Sequence, residues 1–353
     1  MNYVIPIANQ HSYNNIPRNK DLKLQINNHC NYPSRVAVVD WNGNTFVCAC
    51  EAWLPISVGN ISDFNEMQDI WSSPAARSLQ QDINDKKFTN CAVDRCGILF
   101  NNIEQKGYYL SINIDESCNL RCPSCRKDKI MLHQGPEFDR KLAQVNHLVD
   151  MLERFDQPCH IVMSGNGDPL ASHIMRPLLH RYRPRPNHTI RLFTNGLLLE
   201  KQLANNPIVD NITQYFISID AGSADVYQQV RLGGTFDQLL KNFDYLATVV
   251  AKTKSEVLLK FVLQQTNCND MQNFVDLCQR YGFRGVINRL EDWGTWDQFT
   301  QHDVIGNTDH SMHETTVAQL VDIYQRYVDV PKSFIHFNPS LVSLCQRILN
   351  EQH

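Results

Sequence analysis

Three cysteines, Cys118, Cys122 and Cys125, fall within eight residues of the stretch ESCNLRCPSCRKDKI (116–130), and the next cysteine is Cys159. A structural zinc site or a fully ligated iron–sulfur cluster takes four protein ligands. Three thiolates leave one coordination position open, the arrangement of a metal centre that binds and activates a second molecule. A second group, Cys30, Cys48, Cys50, Cys91 and Cys96, lies earlier in the chain. Twelve cysteines at such spacings point to metal or redox chemistry rather than a disulfide framework.

Further chemistry-bearing residues follow. Ser164-Gly165-Asn166-Gly167-Asp168-Pro169 combines glycines, which let a backbone approach a ligand closely, with a carboxylate that can pair with an ammonium. Thr194-Asn195-Gly196, Ser218-Ile219-Asp220, Arg231, and the group Arg289, Glu291 and Asp292 come later.

The elements that must position them form a repeating order. Tyr109–Asp115 alternates apolar and polar residues and reads as a strand running into the cysteine loop. A helix after the loop puts Leu142, Val145, Leu148, Val149 and Leu152 on one face. Further strands are expected at His160–Met163, Thr189–Phe193, Tyr215–Ile219, Val257–Leu263 and Gly285–Leu290, with helices between, so that βα repeats six times. In a parallel array the loops after the strand C-termini form the reactive face. The cysteine loop, 164–169 and 194–196 all open onto it, and Asp220, Arg289, Glu291 and Asp292 at strand ends are candidates to face a substrate. Before this core, Arg35–Asp40 and Thr45–Ala49 read as a hairpin about Asn42-Gly43, followed by a helix over 65–71 and another capped by Ser73 with Pro74 at its first position.

At 353 residues with 42% apolar content the chain can bury a core, and its net charge of −4 gives no reason to expect nucleic acid or an anionic membrane as partner. No run of about 18 apolar residues occurs, and the first residues lack a basic and then apolar leader, so the chain is read as cytoplasmic. Cys159, Cys268, Cys278 and Cys345 read as packing, and His302, Asp309, His310 and His313 as solvated loop residues. The basic stretch from His180 to Arg191 could meet RNA, but its prolines favour a helix-to-strand connection.

Cys-Asn-Leu-Arg-Cys-Pro-Ser-Cys after a first strand resembles the signature of the radical S-adenosylmethionine (SAM) superfamily, and the resemblance extends over roughly residues 108–290. It implies a partial (β/α)6 TIM-like barrel and a [4Fe–4S] cluster on Cys118, Cys122 and Cys125. The open iron is then taken by the amine and carboxylate of SAM, whose reductive cleavage gives a 5′-deoxyadenosyl radical that abstracts hydrogen from a substrate. By the same resemblance Gly165, Asn166, Gly167 and Asp168 stand where the family's Gly-Gly-Glu-Pro segment binds the SAM amino group, with Asp168 one methylene shorter. Asn195, Ser218 and Arg231 stand at the contacts to ribose and carboxylate, and Ser124 beside adenine.

The N-terminal pattern is similar to the SPASM/twitch auxiliary-cluster modules of that superfamily, which implies a second iron–sulfur cluster, [4Fe–4S], on Cys30, Cys48, Cys91 and Cys96, with Cys50 a spare or alternative ligand. Here the module precedes the barrel and its last pair is separated by four residues. A four-cysteine zinc site remains the alternative. The expected division is an extension (1–22), the α+β module (23–104), the barrel (105–294) and a C-terminal extension (295–353). The resemblance implies an oxidoreductase-type enzyme modifying a peptide or protein side chain, served by an electron donor such as flavodoxin or ferredoxin. Dehydrogenation of a small sugar or alcohol, methyl or methylthio transfer to RNA, and a non-catalytic zinc-binding interaction protein are the alternatives.

Overall fold

The structure, a computed structural model, describes residues 29–49, 53–94, 96–100, 103–164, 166–328, 330 and 334–351. The expected extension 1–22, Cys50 and Gly165 lie outside the described residues. The chain divides into two compact units, one built from residues up to 117 with 130–192 and 206–212, the other from 118–129, 193–205 and the residues from 213 onward.

In the first unit β1 (Val36–Val39) and β2 (Asn44–Phe46) form the expected hairpin. Its turn is set by Asp40, whose Oδ1 accepts the N–H of Asn42 at 2.8 Å and of Asn44 at 2.7 Å, while Gly43 takes φ +84°. A side chain at Gly43 would also collide with Gln144, since its Cβ would lie 2.2 Å from Nε2. Strand β3 (Ser57–Asn60), not anticipated from the sequence, pairs antiparallel with β2. Helix α1 (Met67–Ser72) is followed by α2 (Pro74–Asn84), where Ser73 Oγ accepts the Ala76 N–H at 3.2 Å as the Ser-Pro start required. After the short α3 (Gly97–Phe100) comes β4 (Tyr108–Ile112), which lies parallel to β1 on one side and to β5 (Cys159–Met163) on the other. Residues Val36 to Val39 are fully buried, so this continuous apolar run is a strand covered on both faces. Helix α4 (Pro136–Arg154) buries Val145, Leu148, Val149 and Leu152 of the stripe its periodicity marked, while Leu142 is half-buried. Strand β6 (His188–Thr194) pairs parallel with β5.

The second unit repeats the βα order with α5 (Leu199–Leu203), β7 (Ile212–Ser218), α6 (Ala224–Val230), α7 (Phe236–Thr253), β8 (Glu256–Leu263), α8 (Met271–Tyr281) and β9 (Arg284–Arg289). Strands β7, β8 and β9 pair in parallel sequence. On β8, Val257, Leu259, Phe261 and Leu263 are buried, with Phe261 5.0 Å from Phe274 of α8, while Leu258, Lys260 and Val262 are half-buried on the other face. Alternation of this kind is what a strand with one helix-covered face and one open face produces. Past Arg289 the chain adds α9 (His313–Tyr327), β10 (Ile335–Phe337) and α10 (Pro339–Glu351), and β10 extends the parallel pairing beside β9. The expected α/β class and its six βα strands, β4 to β9, are therefore found, and β10 is an addition. Cys159, Cys268, Cys278 and Cys345 are buried as packing residues. No helix among the described residues is long and apolar enough to cross a membrane.

Candidate cofactor site

The cysteine loop is a turn, not a helix. Cys122 O accepts the N–H of Cys125 at 3.0 Å and of Arg126 at 3.1 Å, and the Arg121 N–H is anchored to Leu232 O at 2.9 Å. Cys122 is buried, Cys118 half-buried and Cys125 exposed. Each thiol meets a nitrogen donor: Leu120 N at 3.4 Å and Asn195 Nδ2 at 3.8 Å from Cys118 Sγ, Arg231 Nη1 at 3.4 Å from Cys122 Sγ, and Arg126 Nη2 at 3.8 Å from Cys125 Sγ. Donors of this kind offset thiolate charge and set the potential of a cluster that thiolates hold. Burial pushes the Cys122 thiol up from its ordinary value, and the Arg231 guanidinium pulls it back.

Arg231 is held by Asp220, with Nη2 2.6 Å from Oδ2 and both side chains buried. Burial opposes the charge of Arg231, but Asp220 and Cys122 outweigh it and hold the guanidinium protonated above its ordinary range. Asp220 is itself fixed on the backbone side: its Oδ1 accepts the Val262 N–H at 2.8 Å, its carbonyl accepts Asn267 Nδ2 at 2.9 Å, and its φ is +53°. A non-glycine residue in the left-handed region persists only where surroundings over-determine it, and here three contacts do. Asp220 thus acts through Arg231. Asn195 is 6% exposed, and its Oδ1 accepts the Leu197 N–H at 3.1 Å while Nδ2 donates to Asn119 Oδ1 at 2.8 Å, so one side chain shapes its own turn and the cysteine loop together. Ser218 is half-buried at the end of β7, and Ser124 half-buried in the cysteine turn.

The candidates after β9 are placed differently. Arg289 Nη2 pairs with Asp303 Oδ2 at 3.2 Å, and Gly306 lies against the pair, its N–H donating to Asp303 Oδ1 at 2.8 Å. Asp292 Oδ1 accepts the Gly294 N–H at 2.8 Å and so makes a turn, and Glu291 is exposed. His302 stacks on Trp296 with centroids 4.2 Å apart, while His310 and His313 contact the carbonyls of Gln301 and Val304.

Lys260 was missed in the sequence. It points from the open face of β8, its Nζ 5.8 Å from the centroid of Phe193, which stacks on Phe216 at 4.4 Å. Burial lowers its pKa, with Asp220, Arg231 and Glu291 as charged neighbours. A cation at an interior position of an alternating strand was the available signal.

In the first unit, the Asp168 N–H donates to Ser117 O at 2.8 Å, and Asp168 Oδ1 accepts the Leu170 N–H at 2.9 Å. A Cβ on Gly167 would stand 2.2 Å from Ser117 O and 2.6 Å from Glu116 C, so only glycine lets 164–169 press against the end of the segment after β4. Asn166 is half-buried beside it. Asp115, also unanticipated, accepts Ser172 Oγ at 2.5 Å and ties the two segments together.

The N-terminal cysteines are drawn together by fold rather than by spacing. Burial pushes Cys30 and Cys91 up to about 12, with Cys96 adding its charge to both, and burial raises Cys96 as well. Tyr32 is pushed up to about 12 by burial and then by Cys30, Cys48 and Cys96. The N–H of Tyr32 faces Cys30, and those of Ile98 and Leu99 face Cys96.

Among the described residues no three His, Cys, Asp or Glu side chains gather as one metal ion requires. Both donor sets consist of thiols, the soft ligands of iron–sulfur clusters and of zinc. The loop's N–H donors at every thiol fit a cluster whose charge must be balanced.

Comparison with known proteins agrees. Residues 112–260 match the Radical SAM superfamily, and residues 30–97 match SPASM, an iron–sulfur cluster-binding domain. GTP 3′,8-cyclase of Limosilactobacillus fermentum is 27% identical over 208 residues, 55% of this chain and 60% of that protein. Mycofactocin maturase MftC of Mycolicibacterium smegmatis is 25% identical over 194 residues, 53% of this chain and 47% of that one. The chain therefore matches only 47% to 60% of the length of these curated relatives. Streptococcus suis SuiB bound to precursor peptide SuiA is similar with a TM-score of 0.42 and 13% identity, covering 78% of this chain and 64% of that one. A Radical SAM domain takes a [4Fe–4S] cluster with SAM, and a SPASM domain an auxiliary iron–sulfur cluster. This chain is thus similar to the Radical SAM superfamily over residues 112–260 and, ahead of that stretch, to the SPASM iron–sulfur cluster-binding domain over residues 30–97.

Proposed function

We propose that this protein is an enzyme that cleaves SAM reductively and abstracts hydrogen from a peptide or protein side chain, leading to oxidation or cross-linking. The observation that carries the reading is the cysteine loop: three thiols, each with its own nitrogen donor, and no fourth cysteine before Cys159. When bound, the cluster and SAM supply a 5′-deoxyadenosyl radical. The chain's own residues do the rest. Cys118, Cys122 and Cys125 hold the cluster, and Arg231 balances charge at Cys122 while Asp220 keeps it in place. Asn195 and Ser218 serve the ribose and carboxylate of SAM, and Gly167 and Asp168 its amine. Cys30, Cys48, Cys91 and Cys96 hold the auxiliary cluster, which, fully ligated, relays an electron rather than binding substrate. A flavodoxin or ferredoxin delivers the electron.

The peptide class is supported by the auxiliary module, since relatives with such modules mostly act on ribosomal peptides or proteins. A small anionic substrate is the second reading, favoured by Lys260 on the open face of β8 and by the likeness to a GTP 3′,8-cyclase. The test is anaerobic reconstitution with SAM and dithionite, followed by mass spectrometry of added peptide and small-molecule pools. A mass change in a peptide, matched to 5′-deoxyadenosine, is the expected result. Matched change only in small molecules moves the assignment to the second reading, and a zinc-loaded protein without 5′-deoxyadenosine overturns both.

A further inference from the structure

On the first unit a groove of about 730 Å³ runs between α4 and the segment His173–Arg183. Its floor is apolar: Phe138 and Leu142, four residues apart on α4, and Pro177 are all half-buried. Its wall is cationic, built from Arg176, Arg181 and Arg183 with two histidines. The wall rests on an uncommon backbone. Pro177–Arg181 is a π-helical turn closed by the Tyr182 N–H on Pro177 O at 2.9 Å, which buries Leu178 and Leu179 and turns His180 and Arg181 outward. Such widened turns are rare and often sit at functional sites.

The charges are fixed and unbalanced. Arg183 Nη1 is braced on the carbonyls of His180, Arg181 and Tyr182 at 2.9 to 3.1 Å, and Arg181 Nη2 on Asp150 at 2.6 Å and on Asn146 O at 3.1 Å. Asp150 thus offsets one of three arginines, and Arg176 is exposed with no ion pair among the described residues. The surplus is felt locally: burial, then Arg176 and His133, lower the pKa of His173. A cationic wall on a chain of net charge −4 marks a patch where an acidic partner is attracted while the rest of the surface repels it.

We propose that this groove docks an acidic peptide segment, its carboxylates on Arg176, Arg181 and Arg183 and one apolar side chain on Phe138 and Leu142. The apolar floor decides between partners. A nucleic acid would want several exposed Phe, Tyr or Trp faces for stacking, and Phe138 is the one such residue among those lining the groove. The occupant is the recognition segment of a peptide substrate, so the assignment of that role rests on the peptide reading above.

The test is a peptide-display selection on the full-length protein at about 50 mM salt, where surface charges are weakly screened. Enriched sequences are expected to carry two or more Asp or Glu beside Leu, Met or Phe. A synthetic copy should bind at least about tenfold more weakly to Arg176→Glu and to Phe138→Asp, and also at about 500 mM salt. Unchanged thermal unfolding of both variants separates lost docking from lost folding. Enrichment of basic or neutral sequences, equal binding to both variants, or displacement of the peptide by equimolar polyuridylate RNA overturns the proposal. Docking needs neither cluster nor SAM. A peptide that binds here but is never modified keeps the docking site and removes the peptide reaction, whereas modification of peptides indifferent to Arg176→Glu does the reverse.

Discussion

Around Cys122 the protein sets a guanidinium 3.4 Å from the sulfur, itself locked to a buried carboxylate, whereas the groups that face Cys30 are the Tyr32 N–H and further thiols. One set of cysteines is built around a cation and reaches the surface at Cys125; the other meets backbone N–H groups, further thiols and, at Cys91, the Asp82 carboxylate, with thiols pushed up to about 12. Burying a thiolate costs free energy unless a cation, a hydrogen bond or a metal offsets it. The difference teaches that the loop offsets part of the cost of a buried thiolate with a fixed guanidinium, while at Cys30 the offset comes from a backbone N–H.

The strongest way to break that contrast is to remove one cysteine from each set. The reconstituted chain should hold about eight irons as two four-iron clusters, and Cys122→Ala and Cys30→Ala about four each. Only Cys122→Ala should abolish 5′-deoxyadenosine formation from SAM. Equal loss in both variants would erase the distinction between an open and a closed site.

Next in size is the buried ion pair. Arg231→Met removes the cation paired with buried Asp220 and should cost about 3–5 kcal/mol in urea unfolding. Pairing it with Asp220→Asn should recover much of that. The same variant should lower the reduction potential of the loop cluster; an unchanged potential would show that Arg231 does not balance its charge.

Gly167→Ala probes the first unit's contribution. The added methyl must displace the backbone at Ser117 O, and a misplacement near 1 Å can cost about 10²-fold in a positioned site. SAM affinity by calorimetry should fall on that order, while both clusters assemble; unchanged affinity would remove 164–169 from the SAM site.

The smallest effect concerns neutral burial in the first unit. His188 is fully buried with Nδ1 2.5 Å from Tyr182 Oη, and burial lowers its pKa. The unfolded chain therefore binds this proton first, so the contribution of His188 is present above about pH 6.5 and is lost as pH falls from there through the lower folded value. The double variant Tyr182→Phe with His188→Leu removes both polar groups together and should flatten the fall in melting temperature between pH 7.5 and 5.5. A curve as steep as the parent's would assign the acid sensitivity to other histidines.

Much of this was legible along the chain. The loop cysteines, the six βα strands, the Asn-Gly hairpin and the Ser-Pro helix start are local patterns, each set by spacing or by one residue's backbone preference. Strands β3 and β10 were not, because at four and three residues they are too short to show alternation and exist through pairing with β2 and β9. Arg289 read as a group facing substrate; the partner it meets, Asp303, lies fourteen residues on in a loop without periodicity. Lys260 was not singled out in the sequence, because Phe193, 5.8 Å from its Nζ, lies far away along the chain.

The sequence by itself determined which chemistry is available: three thiols at fixed separation, glycine where a Cβ cannot fit, and alternating faces, because these follow from covalent spacing and steric limits that neighbours in the chain impose. Only the tertiary structure decided which charges those thiols meet, which thiols stand near Cys30, and which carboxylate holds Arg231. Burial and electrostatic partners depend on distances between residues far apart in the chain, and no local pattern encodes them.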